Sequence, residues 1–349
     1  MPRKKLHYAT PTDPIRVAAV DMSKEEARKL LTIYFDWVRP YMAAKSARVS
    51  LAAAGKTCPV IRFTYLSITH LRDNIEDLLG LWVAANHPAA KYFLTKVNGV
   101  GPATAAGLAA YIDIDKCKSV SSVWKYAGLA PNSRRLFVRE ADAIVMEAVD
   151  ALQTKHGDCL HEDHIRFLAD KHNLDFDKLM LDLRYMCHGG KQSITWGVLA
   201  GYFRRKHYRP DLRHVCIVLG NSIIKAPSMY QDLFRHRYAY EIEKNARGDY
   251  AALAAKQLAR FDFVKGKVAY DNYIKGRLPA GHLVSRARRY AVKILLAHYY
   301  EIEYYIRYGK APQDVYGIGI LHGKKKLHIP GNWYEYAKAA RQELRKKEE

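Results

Sequence analysis

Leu94-Thr95-Lys96-Val97-Asn98-Gly99-Val100-Gly101-Pro102-Ala103-Thr104-Ala105 is the stretch on which the reading of this chain turns. An apolar lead, Gly-x-Gly, and then a run of small helix-forming residues make the pattern of a helix-hairpin-helix. Two glycines allow a tight turn and a close backbone approach with no side chain in the way. Pro102 stands at the first helical position, where its missing N–H is no loss. The first free amides of that helix, helped by its dipole, suit an anion such as phosphate. Lys96 and Thr104 flank the turn, so Lys96, Gly99, Val100, Gly101 and Thr104 form the expected phosphate contact. Such a grip reaches the nucleic-acid backbone and not base edges, and is blind to sequence. The same residues also read as an ordinary helix–helix turn, because Gly-x-Gly alone is a weak signal.

Working outward, helical signals dominate. Ser23 with Glu26 three residues on fits a capping box, followed by Leu30, Leu31, Tyr34, Phe35 and Val38 at helical spacing. A long helix is predicted over 65–85, a short one after Pro88, and others from Pro210, from Met229, over 250–263, over 283–308 and over 334–347. Strand signals are few. The predicted fold class is mostly α, divided into a helical N-terminal region (1–87) and a helix-hairpin-helix segment (88–137). An acidic, His-rich insertion (138–188), C-terminal helices (189–310) and a basic tail (311–349) follow.

Composition points to the partner. Fifty-seven Lys and Arg against thirty-five Asp and Glu leave a formal charge of +22. An excess of this size favours a polyanion, because each phosphate neutralised releases condensed counterions. DNA is the expected partner, with RNA the second candidate. Hydrophobic residues make up 49% and mean hydropathy is −0.30, with no apolar run of the ~18–20 residues that span a bilayer, so a membrane is not expected. The five cysteines are scattered and odd in number, which suits a reducing, cytoplasmic setting, nucleoid-associated in a bacterium, and not a disulfide framework.

Two blocks in order, Val97-Asn98-Gly99-Val100-Gly101-Pro102 and Lys125-Tyr126-Ala127-Gly128-Leu129-Ala130-Pro131, resemble the C-terminal transposase module of the IS110/IS116/IS902 insertion-sequence family. Arg209-Pro210-Asp211-Leu212-Arg213-His214-Val215 is similar to that family's Leu-Arg helix, and 286–305 to its closing helix. Residues 70–85 resemble the end of its coiled coil. The resemblance runs from about His70 to about Lys310. It implies a DNA recombinase or transposase, homo-oligomeric, that attacks phosphodiesters with a serine. Ser193, after Gly189-Gly190 and before the Leu-Arg helix, falls in the matching interval, with Arg204, Arg205, Lys206 and Arg209 downstream to stabilise phosphoryl charge. Ser193 also reads as a cap for the helix after it. The alternative function is a non-catalytic DNA-binding protein derived from such an enzyme. The family's RuvC-like half, with its acidic metal ligands, has no counterpart in the helical stretch before the hairpin. No cofactor is therefore assigned; Mg2+ enters only with a nuclease domain or partner.

Two further constellations compete with blander readings. Cys159, His161, His164, His172, Cys187 and His188 match no standard zinc spacing, so no metal site is assigned. On the last long helix, Val284, Ala287, Ala291, Ile294, Leu295, His298, Ile302 and Tyr305 form a core stripe. Arg286, Arg289 and Lys293 form a separate one, either a phosphate rail or a solvated face.

Overall fold

The computed structural model describes residues 10–130, 138–154, 160–187, 194–204, 208–312 and 333–348, and among them there is no strand. The mostly α expectation is met. The chain divides into two compact units, Met1–Leu129 with Asp211–Glu349, and Ala130–Pro210.

The larger unit opens with α1 (Asp13–Val20), α2 (Lys24–Asp36), α3 (Val38–Ala53) and α4 (Pro59–Asn86). Val17–Val20 is the end of α1, with Asp21 as its cap. The capping box of α2 is fully formed. The Ser23 Oγ accepts from the Glu26 amide at 3.2 Å, and the Glu26 carboxylate accepts from the Ser23 amide at 2.8 Å. Short α5 (Pro88–Tyr92) and a 3-10 turn (Leu94–Lys96) lead to α6 (Pro102–Tyr111), which is buried on every side from Ala103 to Tyr111. Alanines and a glycine let its neighbours approach that closely. Its C-terminal carbonyl at Ala110 is satisfied by the Arg28 guanidinium, at 2.9 and 2.6 Å. Next comes α7 (Val120–Tyr126).

After the smaller unit the chain returns as α12 (Pro210–Ile223), α13 (Met229–Ala246), α14 (Ala251–Arg260), α15 (Val268–Ile274), α16 (Ala280–Tyr308) and α17 (Trp333–Glu348). The predicted core stripe of α16 is buried at Ala287, Ala291, Ile294, Leu295, His298 and Ile302. From Ala291 onward burial spreads to other faces, through Val292, Leu296, Ala297, Tyr299 and Tyr300, so this half is a central helix. The helix read as part of a basic tail is docked: α17 buries Ala337 and Ala340, and Glu343 receives Lys91 at 3.0 Å and the Tyr92 hydroxyl at 2.9 Å.

The smaller unit contains α8 (Val138–Ala151), α9 (Glu162–Lys171), α10 (Phe176–Met186) and α11 (Trp196–Arg204) around Val145, Ala148, Ile165, Leu168, Leu183 and Leu199. Its histidines serve this packing. His164 is buried against Trp196, with Nδ1 accepting from the His161 amide at 3.1 Å and Nε2 3.0 Å from the Thr154 hydroxyl. Among the described residues no cluster of His, Cys, Asp or Glu could hold a metal ion. Cys159 and His188 lie outside them.

Candidate nucleic-acid interface

The hairpin is pinned to the end of α12. Gly99 has φ +91°, and a Cβ there would lie 2.9 Å from the Ile223 Cα and 3.1 Å from the Ser222 carbonyl oxygen. The close backbone approach that this glycine permits is thus made to the chain itself. The Asn98 side-chain amide donates to the Pro227 carbonyl at 2.9 Å and fastens the turn further. Gly101 is different. It is exposed, a Cβ on it would meet nothing within 4 Å, and it caps the N-terminus of α6 in extended backbone. Lys96 is exposed beside it. Val100 is buried, and so is Thr104, whose hydroxyl donates to the Gly101 carbonyl at 2.8 Å. The solvent-facing part of the hairpin is therefore Thr95, Lys96, Asn98, Gly101 and Pro102.

The separate sequence blocks meet in this unit. Gly128, at φ +67° just after α7, offers its carbonyl to the Arg213 guanidinium of α12 at 2.6 Å. Gly107 of α6 lets Val215 of α12 in, since a Cβ there would sit 2.7 Å from a Val215 methyl. Gly220 of α12 likewise admits Arg288 and Val292 of α16. Hairpin, Ala-Gly-Leu block, Leu-Arg helix and closing helix are packed on one another through these small-residue contacts.

Where α12, α13 and α16 come together, cations crowd. Arg286 is committed to the interior: its Nε donates to Glu241 at 2.7 Å, and Arg237 reaches the same carboxylate at 2.7 Å. Tyr250 donates a third hydrogen bond. Burial works to raise the pKa of Glu241, but the hydrogen bonds from Tyr250 and Arg286 outweigh it and hold the carboxyl below its ordinary range. Arg288 donates to Asn221. Arg289 forms no ion pair within 4 Å among the described residues, and feels the Glu241 carboxylate only through space. Its side chain is solvent-exposed, yet the dense protein around it and then the neighbouring Arg213, Arg286 and Arg288 pull its pKa down. Lys293 lies 4.0 Å over the Trp124 ring, and burial followed by Arg289 and Arg237 lowers its pKa in turn. Cations that mutually depress one another's pKa values stabilise an incoming anion. Of the predicted rail, Arg286 is spent on Glu241, while Arg289 stays exposed and Lys293 lies over Trp124. Arg213 and Arg288 act electrostatically on Arg289 from positions that no local periodicity marks.

The remaining residues of interest lie in the other unit. Arg204 ends α11 half-buried, and Arg209 is exposed. Ser193, Arg205 and Lys206 lie outside the described residues. No helix among the described residues is long and apolar enough to cross a membrane. No family model, curated protein or solved structure matches the chain.

Proposed function

We propose that this chain is a DNA-binding protein of transposase type that grips the phosphate backbone from two places on its larger unit. One is the exposed N-terminal end of α6 at Gly101, beside Lys96. The other is the cation cluster of Arg213, Arg289 and Lys293. The observation that carries this reading is that cluster: several cations converge, and Arg289 is exposed and in no ion pair within 4 Å among the described residues. Arg213 and Ile223 are ten residues apart on α12, so the two grips lie roughly 15 Å apart along that helix. The overall charge of +22 supports the same partner. The DNA contact proposed is to the backbone, independent of sequence. Cleavage through Ser193 belongs to the likeness with IS110-type transposases, with Arg204, Arg205, Lys206 and Arg209 as the phosphoryl-stabilising set, homo-oligomerisation and an RNA partner as its corollaries. Loss of that chemistry, leaving DNA binding alone, is the competing outcome.

The test is duplex binding at several salt concentrations. Neutralising about six phosphates gives a slope of log affinity against log salt of about −5. Arg289→Ala with Lys293→Ala should shrink that slope by about 2, at about 0.9 per phosphate contact. Gly101→Asp places a carboxylate at a helix N-cap, where it favours the fold but repels phosphate, so affinity should fall without loss of stability. A wild-type slope near zero removes nucleic acid as the partner. Denaturing gels then decide on chemistry: a protein–DNA adduct that vanishes in Ser193→Ala supports the recombinase, and its absence from wild type leaves the binding protein.

A further inference from the structure

We infer that the α3–α4 hairpin is a second nucleic-acid-binding element, an arm whose tip grips phosphates away from the Arg289 cluster. This rests on the DNA-binding reading above. The arm stands clear of the core: no residue from 35 to 67 is buried, and α3 has no buried residue at all. Helix α4 is 28 residues long, about 42 Å, yet its buried residues begin only at Ile68. A helix pair that contributes so little to the core needs another reason to persist in this shape.

Charge supplies it. From Trp37 to Arg72, both included, there are six Lys or Arg and no Asp or Glu. The guanidiniums are set in a ladder with aromatic rings. Arg72 lies 4.7 Å from the Tyr34 ring and 4.6 Å from the Tyr41 ring; Tyr41 stacks on Tyr65 at 5.6 Å; Arg48 closes the row 4.7 Å over Tyr65. Arg72 donates to the Tyr34 hydroxyl at 2.5 Å and belongs to the base of the arm, whereas Arg48 is exposed and its position over the Tyr65 ring is set beforehand for a phosphate. Beyond Arg48, at the tip, a cavity of about 890 Å³ is lined by Arg48, Lys56 and Arg62 together with Leu51, Phe63 and Leu66. Phe63 is 47% exposed, which leaves its ring available for stacking on a sugar or an unpaired base.

The other occupants fit less well. Apolar and cationic side chains of α3 are not segregated into faces, so it lacks the apolar side that an interfacial membrane helix lays on lipid. A second copy of the same arm would bring like charges together. A polyanion of regular phosphate spacing matches both charge and ladder.

The full-length chain with Arg48→Glu, Lys56→Glu and Arg62→Glu tests this on a short labelled duplex between about 50 and 200 mM salt. Each lost phosphate contact removes about 0.9 from the salt slope, so the slope should fall by about 2 to 3, with affinity down on the order of 10- to 100-fold. The melting temperature should not change, since none of the three is buried; if it does, the same positions changed to Gln remove the charge without repulsion. An unaltered slope in a folded variant overturns the arm and leaves the Arg289 cluster standing. No salt-dependent binding by wild type overturns the cluster and the arm together. Tighter binding to phosphatidylserine vesicles than to duplex, lost in the variant, reassigns the arm to a membrane. A change in oligomeric state with an unaltered slope reassigns it to self-association.

Discussion

Gly99 and Gly101 sit two residues apart and ask opposite things of the chain. At Gly99 the positive φ and the nearness of the Ile223 backbone leave no room for a Cβ. Gly99→Ala should therefore destabilise the protein by about 1–3 kcal/mol, read as a shifted urea midpoint. At Gly101 φ is −83° and the surrounding space is open, so Gly101→Ala should leave stability within about 0.5 kcal/mol. Equal costs at the two sites would contradict the packing of the hairpin against α12. The Gly-x-Gly signal was legible in sequence, but not which glycine served folding and which faced solvent. That difference comes from α12, more than a hundred residues downstream.

Among elements, the pairing of α13 with α16 depends on one carboxylate. Glu241 is buried and faces both Arg237 and Arg286. Glu241→Gln would leave two guanidiniums beside a neutral amide, at a cost of about 3–5 kcal/mol. Glu241→Gln with Arg286→Met should recover part of that loss, because the uncompensated charge goes with the arginine. A double variant no more stable than the single one would show that the ion pairs do not couple. The capping box of α2 was readable from Ser23 and Glu26 alone, because it is built from residues three apart. The Glu241 cluster was not, since its members come from 237, 241, 250 and 286 and no spacing links them.

For the molecule as a whole, one buried and one half-buried group set opposing pH dependences. Burial, and then the charge of Lys24, holds the His87 imidazole down to about 4 from its ordinary 6.5. The folded state keeps His87 neutral while the unfolded chain takes up a proton, so this contribution falls as pH drops from 6.5 towards 4, by at most about 3 kcal/mol. Glu303 acts the other way. Burial pushes its carboxyl up to about 7, and its Oε2 has no hydrogen-bond partner among the described residues. From 4.5 to 7 the folded state holds a proton that the unfolded chain has released, so stability is lost as pH rises. Wild type should be nearly flat between pH 5 and 6.5, where the two offset, and less stable above pH 7. Glu303→Gln should uncover the His87 rise and gain stability at pH 8, measured by urea unfolding across that range. An unchanged profile would remove Glu303 from the account.

By itself the sequence determined the helical character of the chain, the start of α2, the turn at Gly99–Gly101, the starts of α12 and α13 at Pro210 and Met229, and the net charge of +22. Each is local or compositional: caps, prolines, glycines and the 3.6-residue period act within a few residues of their cause. Tertiary structure alone decided the rest. It turned Arg286 inward onto Glu241 while Arg289, three residues along the same helix, stayed exposed, and it drew Arg213 to Gly128. It also docked α17 against α5 and left α3 without a buried residue. Whether a cation anchors a fold or meets a ligand depends on which carboxylate packing brings beside it, and that carboxylate is set by helices distant in sequence.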